Sequence, residues 1–238
     1  MLLRLFSLVF WSFLVLSSAL LFPVALLLWA VTRPFDHRTR ALHLFTCWWA
    51  SLYTWLNPWW PVEVSGRSRI PDGPCVLVAN HLSLLDILVL FRLATPFTWV
   101  SKAENFRVPF VGWNMRLNRY IALKRGDRES VLRMLAQCEA ALRDGTPVMM
   151  FPEGTRSHDG LLRPFKAGAF DLAQRTGLPV VPIVVRGTGD ALPRRGFVLH
   201  GRHEISLTVL DPVHARQGES AEQLADRVRA LFVEHVPA

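Results

Sequence analysis

From Phe6 to Thr32 the chain carries no charged side chain, a stretch of about 27 residues where roughly 20 suffice to cross the apolar core of a bilayer. A segment of this kind belongs in lipid. A cleaved secretory leader fits less well, because its apolar region is commonly about 7 to 15 residues and ends in a small-residue cleavage site. The segment therefore reads as a retained anchor.

The apolar character does not end at Thr32. Through residue 60 the only charged side chains are Arg4, Arg33, Asp36, Arg38 and Arg40, and a second apolar stretch runs from Ala41 to Trp60. Seven of the nine tryptophans, Trp11, Trp29, Trp48, Trp49, Trp55, Trp59 and Trp60, fall in this part. An indole keeps its ring in apolar surroundings and its N–H near water, so these positions are expected at the headgroup boundary. The two stretches predict a helical hairpin in the membrane. Pro23 and the Trp, Thr and Asn content of the second stretch leave two arrangements open, crossing the bilayer or dipping into one leaflet. If the first helix crosses, Arg33, Arg38 and Arg40 place the connecting loop on the cytoplasmic side.

After Pro58-Trp59-Trp60-Pro61 the composition becomes that of a globular domain. A chain of 238 residues supports one sizeable α/β core plus an appendage, so residues 1–61 are expected to form the membrane-associated pair of helices and residues 62–238 the soluble domain. Ile70-Pro71-Asp72-Gly73-Pro74 is a turn. Strands are expected over 75–79, 97–101, 119–123, 147–151, 180–185 and 204–210, and helices over 83–93, 127–143, 165–175 and 221–234. Ser220 and Gln223 form a capping-box pattern at the start of the last helix. The alternation predicts a mostly parallel or mixed sheet flanked by helices.

Lys and Arg number 27 against 19 Asp and Glu, a net charge of +8 that favours an anionic partner. Phospholipid headgroups suit that charge better than nucleic acid, because the aromatic residues that could stack on bases are concentrated in the apolar segment. Cys47, Cys75 and Cys138 are widely spaced with no CxxC pair, which points to neither a disulfide framework nor a zinc site. The simplest fit is a domain facing a reducing, cytoplasmic compartment.

Two short motifs carry chemistry. Asn80-His81-Leu82-Ser83-Leu84-Leu85-Asp86 follows the apolar run Val76 to Ala79. A histidine at a strand end can project into a cleft, and Asp86 on the first helical turns can fold back to one ring nitrogen, leaving the other for a substrate. Ser83-x-x-Asp86 is equally a capping-box pattern, in which the histidine is only structural. The second motif, Phe151-Pro152-Glu153-Gly154-Thr155-Arg156-Ser157, puts a carboxylate, a glycine, a hydroxyl and a guanidinium after a buried strand. Arg156 can bind phosphate in bidentate fashion, and a turn at Gly154 can present backbone N–H groups. A polar loop with a solvated Arg–Glu pair is the alternative.

Taken together these motifs resemble those of the glycerolipid acyltransferase family, which includes the bacterial 1-acylglycerol-3-phosphate acyltransferases. His81 and Asp86 match its H-x4-D signature, Glu153, Gly154, Thr155 and Arg156 its F-P-E-G-T-R-S signature, and Val181-Pro182-Ile183 its late V-P-[IV]. The central arginine signature lacks its glycine here, leaving the match among Arg119, Lys124 and Arg125, of which Arg125 stands nearest. Lys102 and Lys166-Ala167-Gly168 also resemble family positions.

The resemblance implies transfer of a fatty acyl group from acyl-CoA or acyl carrier protein to a lysophospholipid hydroxyl, most simply that of lysophosphatidic acid, with no metal or nucleotide cofactor. His81 would be the general base and Asp86 its orienting carboxylate. Arg125, Arg156 and Lys102 would hold the acceptor phosphate, and Glu153 would orient that basic shell. A bacterial inner membrane with the catalytic domain facing the cytoplasm is the implied location. Other lysolipids, including glycine- or ornithine-type lipids, are the alternative acceptors. A hydrolase using Ser83 or Cys75 lacks a G-x-S-x-G elbow, and a non-catalytic protein binding anionic lipid would have no need of the His81/Asp86 pair.

Overall fold

Val76-Leu77-Val78-Ala79 is apolar at every position because the strand it forms is covered on both faces. Val76 and Val78 enter one hydrophobic cluster and Leu77 and Ala79 another. The computed structural model describes residues 1–157, 159–194 and 196–236. Among them are seven strands: β1 (Val62–Ser65), β2 (Val76–Ala79), β3 (Thr98–Lys102), β4 (Ile121–Leu123), β5 (Val148–Met150), β6 (Val180–Arg186) and β7 (Ile205–Val209). They form one sheet in the order β1-β7-β6-β2-β5-β3-β4. Every neighbouring pair is parallel except β6 and β7, which run antiparallel from Ile183↔Val209 to Arg186↔Ser206.

The helices are α1 (Leu2–Thr32), α2 (Arg40–Trp55), α3 (Leu85–Leu90), α4 (Val111–Leu117), α5 (Arg128–Arg143), α6 (Gly168–Thr176), α7 (Thr188–Ala191) and α8 (Ala221–His235). One face of the sheet is covered by α5, α6 and α8 through Met134, Cys138, Phe170, Leu172, Val228 and Phe232. The other face is covered by α2, α3 and α4, with α1 outside them. The expected mixed sheet between helices is therefore the observed architecture.

Among the described residues α1 is the one helix long and apolar enough to cross a membrane, with a mean hydropathy of 2.4 in its most apolar window. At about 1.5 Å per residue its 31 residues extend roughly 46 Å. Its buried positions, Ser7, Phe10, Ser18 and Ala25, lie on one side; Ser18 meets Tyr53 of α2, and Ser7 accepts the Leu199 N–H at 2.8 Å. Tyr53 of α2 ties the two together: its hydroxyl meets Ser17 Oγ at 2.9 Å and accepts the Trp49 indole N–H at 2.7 Å. The opposite side of α1, from Leu5 through Leu16 and Leu20 to Leu27 and Val31, is exposed apolar surface.

Helix α2 does not fit the crossing arrangement. Its 16 residues are too few to cross an apolar core of about 30 Å, and nine of them are buried against the domain. Thr46 Oγ1 accepts from Asn114 and Asn118 at 3.0 and 3.1 Å, pinning α2 to α4. Trp49 and Trp60, expected at a headgroup boundary, are 4% and 1% exposed inside the protein, whereas Trp48 and Trp55 stay on the surface. The composition of the segment reports how apolar it is and leaves open which side faces protein.

Other differences are local. The helix expected over 83–93 divides into α3 and a 3₁₀ turn at Phe91–Leu93. The helix expected from Phe165 starts at Gly168, and just ahead of it the Lys166 N–H is taken by the Pro152 carbonyl at 2.9 Å. The capping box at Ser220 and Gln223 is present. At Ser83 only half of such a box forms: Asp86 accepts the Ser83 N–H, while Ser83 Oγ accepts from Leu85 N–H and donates to the Leu192 carbonyl.

Helix α2 also buries an ionisable ring. His43 is packed against Phe91 and Phe97, with Nδ1 2.9 Å from the Tyr120 hydroxyl. Burial pushes its pKa down from 6.5 to about 3, against a smaller upward pull from the Thr95 backbone. A histidine depressed in the folded state contributes stability that is intact above pH 6.5 and drains away as pH falls toward 3, because only the unfolded chain takes up the proton. Stability is expected to drop by up to about 1.4 kcal/mol per pH unit through that window. The check is the unfolding midpoint of the detergent-solubilised protein over a pH series, compared with His43→Gln. Identical slopes in the two chains would remove His43 as the cause.

Candidate active site

Parallel strands end on one edge, and the two sequence motifs meet there. His81 lies just beyond β2, and Pro152 to Arg156 lie just beyond β5, its hydrogen-bonded neighbour. The carboxyl ends of the strands are where loops leave the sheet and open a crevice. Asn80 fixes the exit of β2: its side-chain amide donates to the Val185 carbonyl at 2.9 Å and accepts the Val185 N–H at 2.8 Å, extending the pairing of β2 with β6 by a side chain.

His81 Nδ1 is 2.7 Å from Asp86 Oδ2. That same oxygen accepts the backbone N–H groups of Leu82 at 2.7 Å and Ser83 at 2.9 Å. The other oxygen, Oδ1, accepts the hydroxyl of Thr188, a residue in α7 that comes after β6. Asp86 has no exposed surface, and an ionised carboxylate only accepts. Towards an ionised Asp86 it is Nδ1 of His81 that donates, and in the neutral ring Nε2 then holds the lone pair. Nε2 has no hydrogen-bond partner among the described residues. The ring is stacked on Phe151 at a centroid distance of 3.9 Å and 11°, which leaves it little freedom to rotate. A held imidazole with a free basic nitrogen can take a proton from a hydroxyl brought beside it.

Glu153 serves the same loop from beneath. Its Oε1 accepts the His81 N–H at 2.7 Å and its Oε2 the Arg163 N–H at 3.1 Å. Burial raises its carboxyl above the usual range, and those two N–H donors partly hold it down. The motif resemblance implies a Glu153 that orients guanidinium groups. The structure instead gives it backbone partners, since its strand-end position points the side chain under the β2 loop. The Ser157 N–H adds a third tie, to the His81 carbonyl at 2.8 Å.

Gly154 turns the motif with φ of +70°, and a Cβ there would come within 2.8 Å of Lys166 Nζ. Its own N–H closes the turn on the Phe151 carbonyl at 3.0 Å, so it is spent within the loop. Thr155 Oγ1 accepts from Arg194 at 3.4 Å. Arg156 is half-buried, Arg125 is exposed, and neither has a hydrogen-bond or ion-pair partner among the described residues. Lys102 ends β3 and pairs with Glu104 at 3.3 Å. With strands about 4.8 Å apart, Lys102 starts roughly 10 Å and Arg125 roughly 14 Å along the same edge from His81.

An open cleft of about 1130 Å³ begins at Leu82 and Ser157 and runs past Arg186, Asp190, Arg202 and Glu204. Its mixed charge is unsuited to an alkyl chain. Apolar surface lies on the α1 side instead, where Val108, Val111 and Trp113 are exposed and the Trp113 ring is 5.4 Å from that of Phe22.

The histidine, both carboxylates and the arginine loop are legible in the sequence, whereas Asn80, Phe151, Ser157 and Thr188 carry no assignment there. A hint existed for the last, because Gly187-Thr188 comes directly after an apolar run and so puts a hydroxyl at a strand end.

The sequence and fold define an acyltransferase. The sequence model of the acyltransferase family matches residues 61–186, and the chain belongs to that family. The chain is 38% identical to a 1-acyl-sn-glycerol-3-phosphate acyltransferase of Chlamydomonas reinhardtii, covering 95% of this chain and 68% of that one. A chloroplastic enzyme of the same name from Brassica napus is also 38% identical, over 84% of this chain and 58% of its own length. The enzyme so named from Pseudomonas aeruginosa is 34% identical, over 69% of this chain and 63% of its own. The crystal structure of the 1-acyl-sn-glycerophosphate acyltransferase PlsC from Thermotoga maritima superposes with a TM-score of 0.83 at 26% identity, covering 98% of this chain and 94% of that one. The present chain thus spans about three-fifths to two-thirds of the length of the first curated relatives and nearly all of the bacterial structure.

Replacing Glu153 by Gln presents an NH2 to one of the two backbone N–H groups that the carboxylate now satisfies. The expected outcome is a loss of about 1 to 3 kcal/mol of stability, read from unfolding midpoints in detergent. An unchanged midpoint would mean that the two N–H groups find other acceptors.

Proposed function

We propose that the protein transfers a fatty acyl group from an acyl thioester to the free hydroxyl of 1-acyl-sn-glycerol-3-phosphate, forming phosphatidic acid. The observation that carries this reading is the His81–Asp86 pair, 2.7 Å apart, with Nε2 left free at the edge of the sheet. The names of the relatives from an alga, a plant and a bacterium support the choice of acceptor.

His81 Nε2 takes the acceptor's hydroxyl proton as that oxygen attacks the thioester carbonyl. The tetrahedral intermediate then expels the thiolate, the C–S bond breaks, and the imidazolium returns the proton to sulfur. Asp86 holds Nδ1–H throughout and balances the charge that develops on the ring. The acceptor phosphate is bound by Arg156 and Arg125, whose guanidinium groups are uncommitted, with Lys102 between them along the edge; Gly154 and Thr155 shape the loop that presents Arg156. Glu153 acts on this site through the backbone. The donor is acyl-CoA or acyl carrier protein, and the reaction as written calls for no further cofactor.

Residues 1–61 form the membrane-associated segment and residues 62–238 the acyltransferase domain, a division supported by the family match starting at residue 61. Both acceptor and product are bilayer lipids, and the exposed apolar stripe of α1 together with Trp113 sets the reactive edge beside lipid. Arg33, Arg38 and Arg40 at the turn after α1 favour a cytoplasmic-facing domain at a bacterial inner membrane.

A transfer assay with purified enzyme, both donor types and a panel of lysolipids tests this directly. His81→Ala is expected to lower transfer by roughly 10²- to 10⁴-fold while vesicle binding is unchanged. Retained transfer would overturn the general-base role. Removing the Arg156 guanidinium as Arg156→Ala is expected to raise KM for the phosphate-bearing acceptor by about 10-fold or more, with little change for the donor. A preference for a phosphate-free lysolipid would overturn the acceptor assignment.

A further inference from the structure

The two oxygens of Asp86 are served very unequally. Oδ2 receives three donors from its own loop: His81 Nδ1–H, Leu82 N–H and Ser83 N–H. Oδ1 receives a single donor among the described residues, the Thr188 hydroxyl, from a residue 102 positions along the chain. Both Asp86 and Thr188 have no exposed surface, so no solvent can replace that donor. Turning the carboxylate about its bond to Cβ would swing both oxygens together, carrying Oδ2 off the three donors it receives. A donor on the second oxygen opposes the same turn from the far side of the group, and it comes from a different segment of the chain.

The fold brings Thr188 to this place by specific means. Asn80 locks the end of β2 to Val185 of β6. Gly187 then turns the chain with φ of +81°, where a Cβ would lie 2.1 Å from the Glu204 carbonyl oxygen. The turn drops Thr188 directly under Asp86, and Ser83 Oγ donates to the Leu192 carbonyl at 2.6 Å to hold the far end of the same segment. Thus three side chains of the histidine motif, Asn80, Ser83 and Asp86, each bond to the stretch from Val185 to Leu192.

We propose that Thr188 is a positioning residue for catalysis: its hydroxyl anchors the second oxygen of the Asp86 carboxylate, so that Oδ2 stays in line with His81 Nδ1 and Nε2 stays aimed at the acceptor hydroxyl. This rests on the reading of His81 as the general base. Thr188 touches neither substrate. Its contribution is to how fast a bound pair reacts and not to how tightly either substrate binds.

Thr188→Val keeps the shape and removes the donor, and Thr188→Ser keeps the donor and removes a methyl group. In the full-length enzyme, Thr188→Val is expected to lower kcat roughly 10- to 100-fold with KM for acceptor and donor within about twofold of the parent. Thr188→Ser is expected to return kcat to within about threefold. A valine enzyme with kcat within about twofold of the parent, or a serine enzyme as slow as the valine one, would overturn the assignment. Should the valine chain fail to fold, Thr188→Ala removes the donor with less crowding, and the serine–alanine pair is read the same way. His81→Ala measured alongside separates the two levels. An active His81→Ala enzyme brings down the general-base reading itself, whereas an inactive one beside a normal valine enzyme brings down only the role of Thr188.

Discussion

Four hydrogen-bond donors converge on the Asp86 carboxylate, which has no exposed surface, and much of the molecule can be understood as the means of supplying them. Two donors come from the loop that starts α3, one from the imidazole it orients, and one from the segment after β6. A carboxylate buried without such partners would be costly enough to reorganise its surroundings. The parallel pairing of β2 with β5 and β6 sets the exits of all three strands side by side, so that the loops that build the site are neighbours before any side chain is placed.

Those loops are tied to one another more than to anything else. Glu153 bonds the backbone at His81 and at Arg163, Ser157 bonds the His81 carbonyl, and Asn80 bonds Val185. The buried polar side chains there spend their hydrogen bonds on backbone groups, which rigidifies the frame. The guanidinium groups of Arg125 and Arg156 remain outside that network. A rigid frame beside uncommitted cations suits the phosphate-bearing acceptor proposed for it.

Much of this was legible in the amino-acid order. The apolar runs at 76–79 and 180–185 identified central strands because both their faces are buried, and the helical spacing of Cys138 and Leu142 with Asp127 at its start marked α5. The spacing from His81 to Asp86 was readable because both residues lie within one loop–helix junction. What escaped was either short or long-range. The four residues of β1 and the seven of α4 carry too little periodicity to stand out. Thr188 reaches Asp86 only through the pairing of β2 with β6, which local sequence does not encode. Glu153 was recognised as a site residue, but its partners are backbone groups, and a sequence spells out only side chains. Trp49 and Trp60 were misplaced because an indole favours a protein interior as readily as a headgroup boundary.

Helix α2 has a consequence for how such a chain can be taken apart. Leu42, Cys47, Trp49, Ala50 and Tyr53 belong to the same cluster as Leu85, Leu90 and Trp99 under the sheet, and Thr46 is bonded to α4. Helix α2 is therefore a wall of the domain, and the apolar helix α1 is packed on it. A fragment cut at residue 61 would expose that wall's seat, and a graft from another protein would have to match it residue by residue, so residues 1–61 and the sheet domain are inherited as one packed unit.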